Sequence, residues 1–251
     1  MFSARLWKLL GTTGLVVVLA SCAGGNGDSE SITVFAASSL TDAFAEIEAG
    51  FESANPGVDV IVSLGGSSSL REQIRAGAPV DVFASANEEI VRSVADEGLL
   101  SGEVTVFATN SLTIAVPDDN PGGVTSVEDL ARSELLVGLC NESVPCGELA
   151  LAALDTLDVQ PSVDTNEPDV RALITKIELG ELDVGIVYET DVLSSESATA
   201  ISLDGGPFDT RYPIAVLSDS PNPRGAQDFV DFVVSADGTA ILSSFGFGTT
   251  P

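Results

Sequence analysis

Apolar positions along this chain recur in two rhythms that take turns: short β-rich runs and helical stripes. Ile32-Thr33-Val34-Phe35 reads as a strand. After Ala36-Ala37-Ser38-Ser39, the positions Leu40, Phe44, Ile47 and Phe51 fall at spacings of four, three and four, which is one face of a helix. Val58-Asp59-Val60-Ile61-Val62 is a second strand, running into Gly65-Gly66-Ser67-Ser68-Ser69 and a helix with Leu70 and Ile74 inward. Val80-Asp81-Val82-Phe83-Ala84 is a third strand, followed by a helix carrying Ile90, Val91 and Val94. The second half continues with a strand at 112–116 and a capping box, Thr125-Ser126-Val127-Glu128, opening a helix through Arg132. A strand at 135–139 leads to a loop with Cys140 and Cys146 and a helix over 149–157. Glu167-Pro168 starts a further helix, with proline at the first helical position and Gly180 closing it. Strands at 184–188 and 212–216 follow, then helices around 229–233 and 240–242. Strands alternating with helices predict an α/β fold whose mostly parallel sheet is covered on both faces.

The N-terminus departs from this pattern. Arg5 and Lys8 precede an apolar or small-residue stretch, 9–20, too short for a spanning helix with charged flanks, so residues 1–21 read as a signal peptide. The stretch ends in Leu19-Ala20-Ser21-Cys22, which resembles a bacterial lipoprotein box, where the cysteine is lipidated and becomes the first mature residue. An ordinary secretory signal cleaved near the same place is the alternative. Residues 22–30 are rich in Gly, Asn, Asp and Ser and read as a flexible tether. A diacylated cysteine brings two chains, about what stable membrane attachment needs.

Composition narrows the chemistry. The chain has 251 residues, 44% hydrophobic and 19% charged, which suits one two-lobed unit or two modest globular domains. Removing residues 1–21 takes away two positive charges and no negative ones, leaving eight Lys and Arg against 38 Asp and Glu, a net charge of −30. Such a surface argues against a nucleic-acid partner. There is no histidine, which excludes Ser-His-Asp triads, Cys-His dyads and His-ligated zinc together. No Gly-x-Ser-x-Gly elbow, Walker loop or Gly-x-Gly-x-x-Gly occurs.

What stands out is the make-up of two strand-to-helix junctions, Ala36-Ala37-Ser38-Ser39 and Gly65-Gly66-Ser67-Ser68-Ser69. A helix start carries unpaired N–H groups and a partial positive charge. Small residues let a ligand approach that backbone, and hydroxyls add donors. At the carboxyl ends of parallel strands the two junctions would share one rim of the sheet, and the natural guest is a small anion. A single serine before a helix is usually a cap, but Ser67, Ser68 and Ser69 cannot all be caps.

These stretches resemble the molybdate-binding proteins of bacterial ABC importers, which are class II periplasmic-type binding proteins. The matching residues are 32–41, Gly66-Ser67-Ser68-Ser69-Leu70, 76–83, Asn110-Ser111-Leu112, Val144-Pro145-Cys146-Gly147, Asp169-Val170-Arg171, Gly185-Ile186-Val187-Tyr188 and Tyr212-Pro213-Ile214-Ala215, in the family's order. The resemblance implies two lobes, residues 31–109 with 214–251 and residues 110–213, joined by two crossovers. It implies a tetrahedral oxyanion, molybdate or tungstate, held between them. Ser39 and Ser67 would donate hydroxyl and backbone N–H, Cys146 and Val170 backbone N–H, and Tyr188 its phenol. Contact with the molybdenum would run only through its oxygens. Cys146 departs from the better-known members, which have alanine there and no cysteine six residues earlier; a backbone donor survives that change. The implied life cycle is extracytoplasmic, with a lipid anchor at Cys22, delivery to an ABC permease, no cofactor, no catalysis and a monomeric state.

The residue chemistry is compatible. No Lys or Arg lies in the serine clusters, so neutral dipoles must hold the dianion. Charge-assisted hydrogen bonds contribute about 1.5–3 kcal/mol each, and roughly seven give submicromolar affinity after association costs of at least ~4 kcal/mol. The charge of −30 repels an incoming dianion, but screening confines this to about 8 Å at physiological salt. Cys140 and Cys146 span a short loop in an exported chain and read as a disulfide, with two separate thiols as the alternative. Asn141-Glu142-Ser143 matches a glycosylation acceptor but reads as a loop. Rival functions are binding of sulfate, phosphate or thiosulfate, a surface-anchored hydrolase using paired carboxylates, and a purely structural lipoprotein.

Overall fold

The computed structural model describes residues 30–249. The signal-peptide, lipidation and Cys22 readings lie outside the described residues, as does the tether apart from Glu30, which is the first residue of a strand. In chain order the elements are β1 (Glu30–Ala37), α1 (Thr41–Ala54), β2 (Val58–Gly65), α2 (Ser67–Arg75), β3 (Val82–Ala84), α3 (Glu88–Asp96) and β4 (Leu100–Pro117). Then come β5 (Val137–Cys140), α4 (Pro145–Thr156), β6 (Val163–Glu167), α5 (Val170–Glu178), β7 (Val184–Tyr188), α6 (Glu189–Leu193) and β8 (Ala198–Ile201). The chain ends with β9 (Asp209–Leu217), α7 (Pro223–Val233), α8 (Ala236–Ser244) and β10 (Gly248–Thr249). Short 3₁₀ turns occupy Ser38–Leu40 and Val127–Ala131.

The helical stripes bury as their spacing requires: Leu40, Phe44, Ile47 and Phe51 all lie in the core. The strands form one path, β2-β1-β3-β9-β4-β7-β5-β6, with β8 and β10 also paired to β4. Its two ends are parallel, β2-β1-β3 and β7-β5-β6. The middle is antiparallel, because β4 and β9 cross the molecule in opposite directions. The first part of β4 pairs with β9, and its last part pairs with β7 and β8. The sheet is thus mixed rather than mostly parallel, and the crossovers are themselves strands. The hydrophobic core is divided accordingly. One cluster draws on residues between Leu112 and Leu203, while the other two combine residues up to Ala108 with residues from Tyr212 onward.

Local readings shift in three places. The capping box sits one residue later than expected: Asp129, not Glu128, accepts the backbone N–H groups of Thr125 and Ser126, at 2.8 and 3.3 Å, and the turn it caps is 3₁₀. Pro168 is not the first helical residue. Asp169 is the N-cap of α5, its carboxylate accepting the Ala172 N–H at 3.0 Å, and Val170 begins the helix. A carboxylate that satisfies an otherwise unpaired donor outweighs proline's preset φ. Finally, the start of β4, all of β6, β8 and β10, and α6 carried no recognised signal; β6, for example, is exposed over much of its length.

Candidate oxyanion site

Each expected site residue comes from a strand-to-helix junction. Ser39 sits in the 3₁₀ turn between β1 and α1, and Ser67 is the first residue of α2, directly after β2. Cys146 is the second residue of α4 after β5, and Val170 the first of α5 after β6. Tyr188 ends β7. All five line one tight cavity with an interior of about 10 Å³, far below the ~300–1,000 Å³ usual for organic ligands. Four helical N-termini therefore meet at one space. Because Pro145 has no N–H, Cys146 supplies the first free donor of α4. Among the described residues, no Lys or Arg lines the cavity. The one acid that does, Asp169, has its carboxylate engaged by its own helix.

The hydroxyls are set to donate. Ser67 Oγ accepts the Ala86 N–H at 3.1 Å, which leaves its proton free for the cavity. Tyr188 is buried, and its Oη is the only buried side-chain N or O atom among the described residues without a hydrogen-bond partner. Burial, reinforced by Tyr212, Asp191 and Glu148, pushes the Tyr188 phenol well above its ordinary range, so it keeps its proton. A phenol that is protonated, dry and unpartnered costs stability unless a ligand accepts from it.

The space is closed by contacts between the two sides. Arg171 on α5 pairs with Asp42 on α1, Ser68 Oγ donates to the Ser143 carbonyl, and Asn87 Nδ2 donates to Glu148 at 3.1 Å. Gly66 packs so tightly that a Cβ there would stand 2.7 Å from the Pro168 carbonyl oxygen. Cys140 and Cys146 are joined by a disulfide, S–S 2.11 Å, tying the end of β5 to the first turn of α4.

Supporting residues escaped the sequence reading. Asp191 is buried and accepts the Tyr188 N–H at 3.1 Å; burial raises its carboxyl to about 7, opposed by that hydrogen bond and by Arg171. Tyr212 bonds Ser39 Oγ at 2.9 Å and packs edge-on against Tyr188. Tyr212 and Asn110 stood in matching stretches with no role attached, and Asp191 in none.

With this geometry in view, comparison with known proteins settles the family. Residues 32–248 match the model of the bacterial extracellular solute-binding proteins. The chain belongs to that family. Its relatives include the molybdate-binding protein ModA of Mycobacterium tuberculosis, 39% identical over 229 residues, covering 90% of this chain and 88% of that protein. A solved substrate-binding domain of a putative molybdenum ABC transporter from Clostridium difficile aligns over 89% of this chain and all of that one, with 26% identity and a TM-score of 0.67. The periplasmic molybdate-binding protein of Azotobacter vinelandii aligns over 88% of this chain and all of that one, with 18% identity and a TM-score of 0.78, a likeness of fold. The solute-binding protein thus has the two-lobed type II fold. No helix among its described residues is long and apolar enough to cross a membrane.

Proposed function

We propose that this solute-binding protein captures molybdate or tungstate between its two lobes and delivers it to an ABC permease. The lobes are residues 31–109 with 214–251 and residues 110–213. Ser39, Ser67 and Tyr188 donate their hydroxyls, and the N–H groups of Ser39, Ser67, Cys146 and Val170 complete the shell. The observation that carries this reading is the Tyr188 hydroxyl, orphaned in a cavity where four helix starts converge and no cation is at hand. A fully ionised tetrahedral oxyanion is a pure acceptor and supplies what each of those donors lacks. The likeness to the molybdate-binding protein of Mycobacterium tuberculosis and to the substrate-binding domain of a putative molybdenum transporter from Clostridium difficile supports the same cargo. The protein acts extracytoplasmically as a monomer held to the membrane through a lipidated Cys22, and it breaks no bond in its cargo.

Calorimetry of the mature protein with molybdate, tungstate and sulfate tests the proposal. Submicromolar binding of molybdate or tungstate with sulfate ignored is the expected result. Tight sulfate binding instead would assign a different oxyanion, and no heat with any of the three would remove the reading.

A further inference from the structure

Asn110 and Tyr212 lie on the two crossover strands, β4 and β9, both buried, and neither belongs to the cavity wall. They form a hydrogen-bond chain whose direction can be worked out. The Ser111 N–H, which can only donate, faces Asn110 Oδ1 at 3.0 Å. That contact orients the amide, so Nδ2 is the atom facing Thr190 Oγ1 at 2.7 Å and Tyr212 Oη at 3.3 Å. Tyr212 Oη is therefore an acceptor toward Asn110, and its own single proton is left for its remaining neighbour, Ser39 Oγ, at 2.9 Å. Ser39 Oγ then accepts from Tyr212, and its proton is free to turn into the cavity that Ser39 lines.

We infer that Asn110 and Tyr212 are positioning residues whose polarised chain holds the Ser39 hydroxyl as a donor to the bound oxyanion. This rests on the reading that Ser39 touches the anion. With the chain reversed, Ser39 would donate to Tyr212 and present oxygen lone pairs to a dianion, turning an attraction into a repulsion. Burial pushes the Tyr212 phenol up, which keeps the relayed proton in place. The chain joins both sides of the cleft. Ser39 follows β1, Thr190 lies on α6, and the linking residues belong to the strands that connect the lobes. Tyr212 also packs its ring edge-on to Tyr188, with centroids 6.2 Å apart, so one side chain backs two of the three donating hydroxyls.

A double-mutant cycle read by calorimetry with molybdate tests this, with thermal melts confirming that each variant folds. Ser39→Ala is expected to weaken binding about tenfold, the loss of one hydrogen bond to a charged ligand. Tyr212→Phe, which keeps the ring and removes the relay, is expected to weaken it about fivefold on its own and by less than about twofold in the Ser39→Ala background. A Tyr212→Phe loss of equal size in both backgrounds would mean that the phenol acts only through packing and overturns the inference, as would Tyr212→Phe binding as tightly as the parent. Asn110→Ala, run through the same cycle, gives an independent arm should Tyr212→Phe melt at room temperature; the same loss confined to the Ser39 background is expected, and an additive one overturns the inference. A parent protein that ignores molybdate would defeat the proposed function itself. A parent that binds while Ser39→Ala binds equally well would show that the anion sits away from Ser39.

Discussion

Ser67 Oγ and the backbone nitrogen of Ala86 stand 3.1 Å apart, joining the first residue of α2 to the loop after β3. The bond uses the serine as an acceptor and so leaves its proton unspent at the cavity wall. Ser67→Ala removes that donor and strands the Ala86 N–H together. Molybdate affinity should fall about tenfold or more, measured by calorimetry, while the melting temperature drops only modestly. Unchanged affinity would mean the anion sits elsewhere.

Tyr188→Phe should separate binding from stability. In the closed arrangement the Tyr188 hydroxyl is a buried donor with no protein partner, so deleting it breaks no protein hydrogen bond. The variant should melt no lower than its parent without ligand, yet bind molybdate about tenfold more weakly. Parallel thermal melts with and without molybdate check both halves. A large fall in unliganded stability would show that the hydroxyl has a protein partner.

Gly66→Ala tests closure. Gly66 has φ −61°, open to any residue, so its requirement is steric rather than conformational. The added Cβ would stand 2.7 Å from the Pro168 carbonyl oxygen, across the cleft from α2. Opening the lobes relieves that clash, so unliganded stability should be nearly unchanged while affinity falls by about tenfold or more. Equal affinity would show that Gly66 and Pro168 need not meet in the liganded form.

Asp191 gives a pH signature with a definite sign. Burial pushes its carboxyl up to about 7 in the folded protein, from 3.8 for a free aspartate side chain; the Tyr188 N–H and Arg171 pull it down, and Asp42 and Asp169 push it up. Between those two values the folded state holds a proton that the unfolded chain has released. The contribution of Asp191 to stability is therefore full below the unfolded value, falls as pH rises through this window, and is level above it. Asp191→Asn keeps an acceptor for Tyr188 and cannot ionise. Its stability relative to the parent should climb from about pH 4 to pH 7 and then flatten, in urea titrations at a series of pH values. A constant difference would mean Asp191 stays ionised in the fold.

Much of the scaffold was legible because its signals are local. The stripe through Leu40, Phe44, Ile47 and Phe51 depends only on 3.6-residue periodicity, and Ser39 and Ser67 sit at the two junctions whose composition is unusual within a few positions. The recognised family motifs are likewise short stretches, and the absence of histidine is a matter of counting. From these alone follow the α/β class, the anionic character of the guest and its neutral donors.

Tertiary structure decided what those residues do to one another. Ser39 and Tyr212 are 173 positions apart, and Asn110 and Tyr212 are 102 apart. No pattern within a helix or strand encodes which hydroxyl accepts and which donates. Whether a buried polar atom is satisfied depends on neighbours brought in by the fold, so the orphaned Tyr188 phenol, the carboxyl of Asp191 and the closeness of Gly66 to Pro168 became visible only there. The same holds for the mixed sheet: β4 looks like one strand near Leu112 until β9, β7 and β8 each claim a part of its length. Periodicity is set by the backbone's own geometry, but hydrogen-bond polarity and burial are set by what arrives from far along the chain.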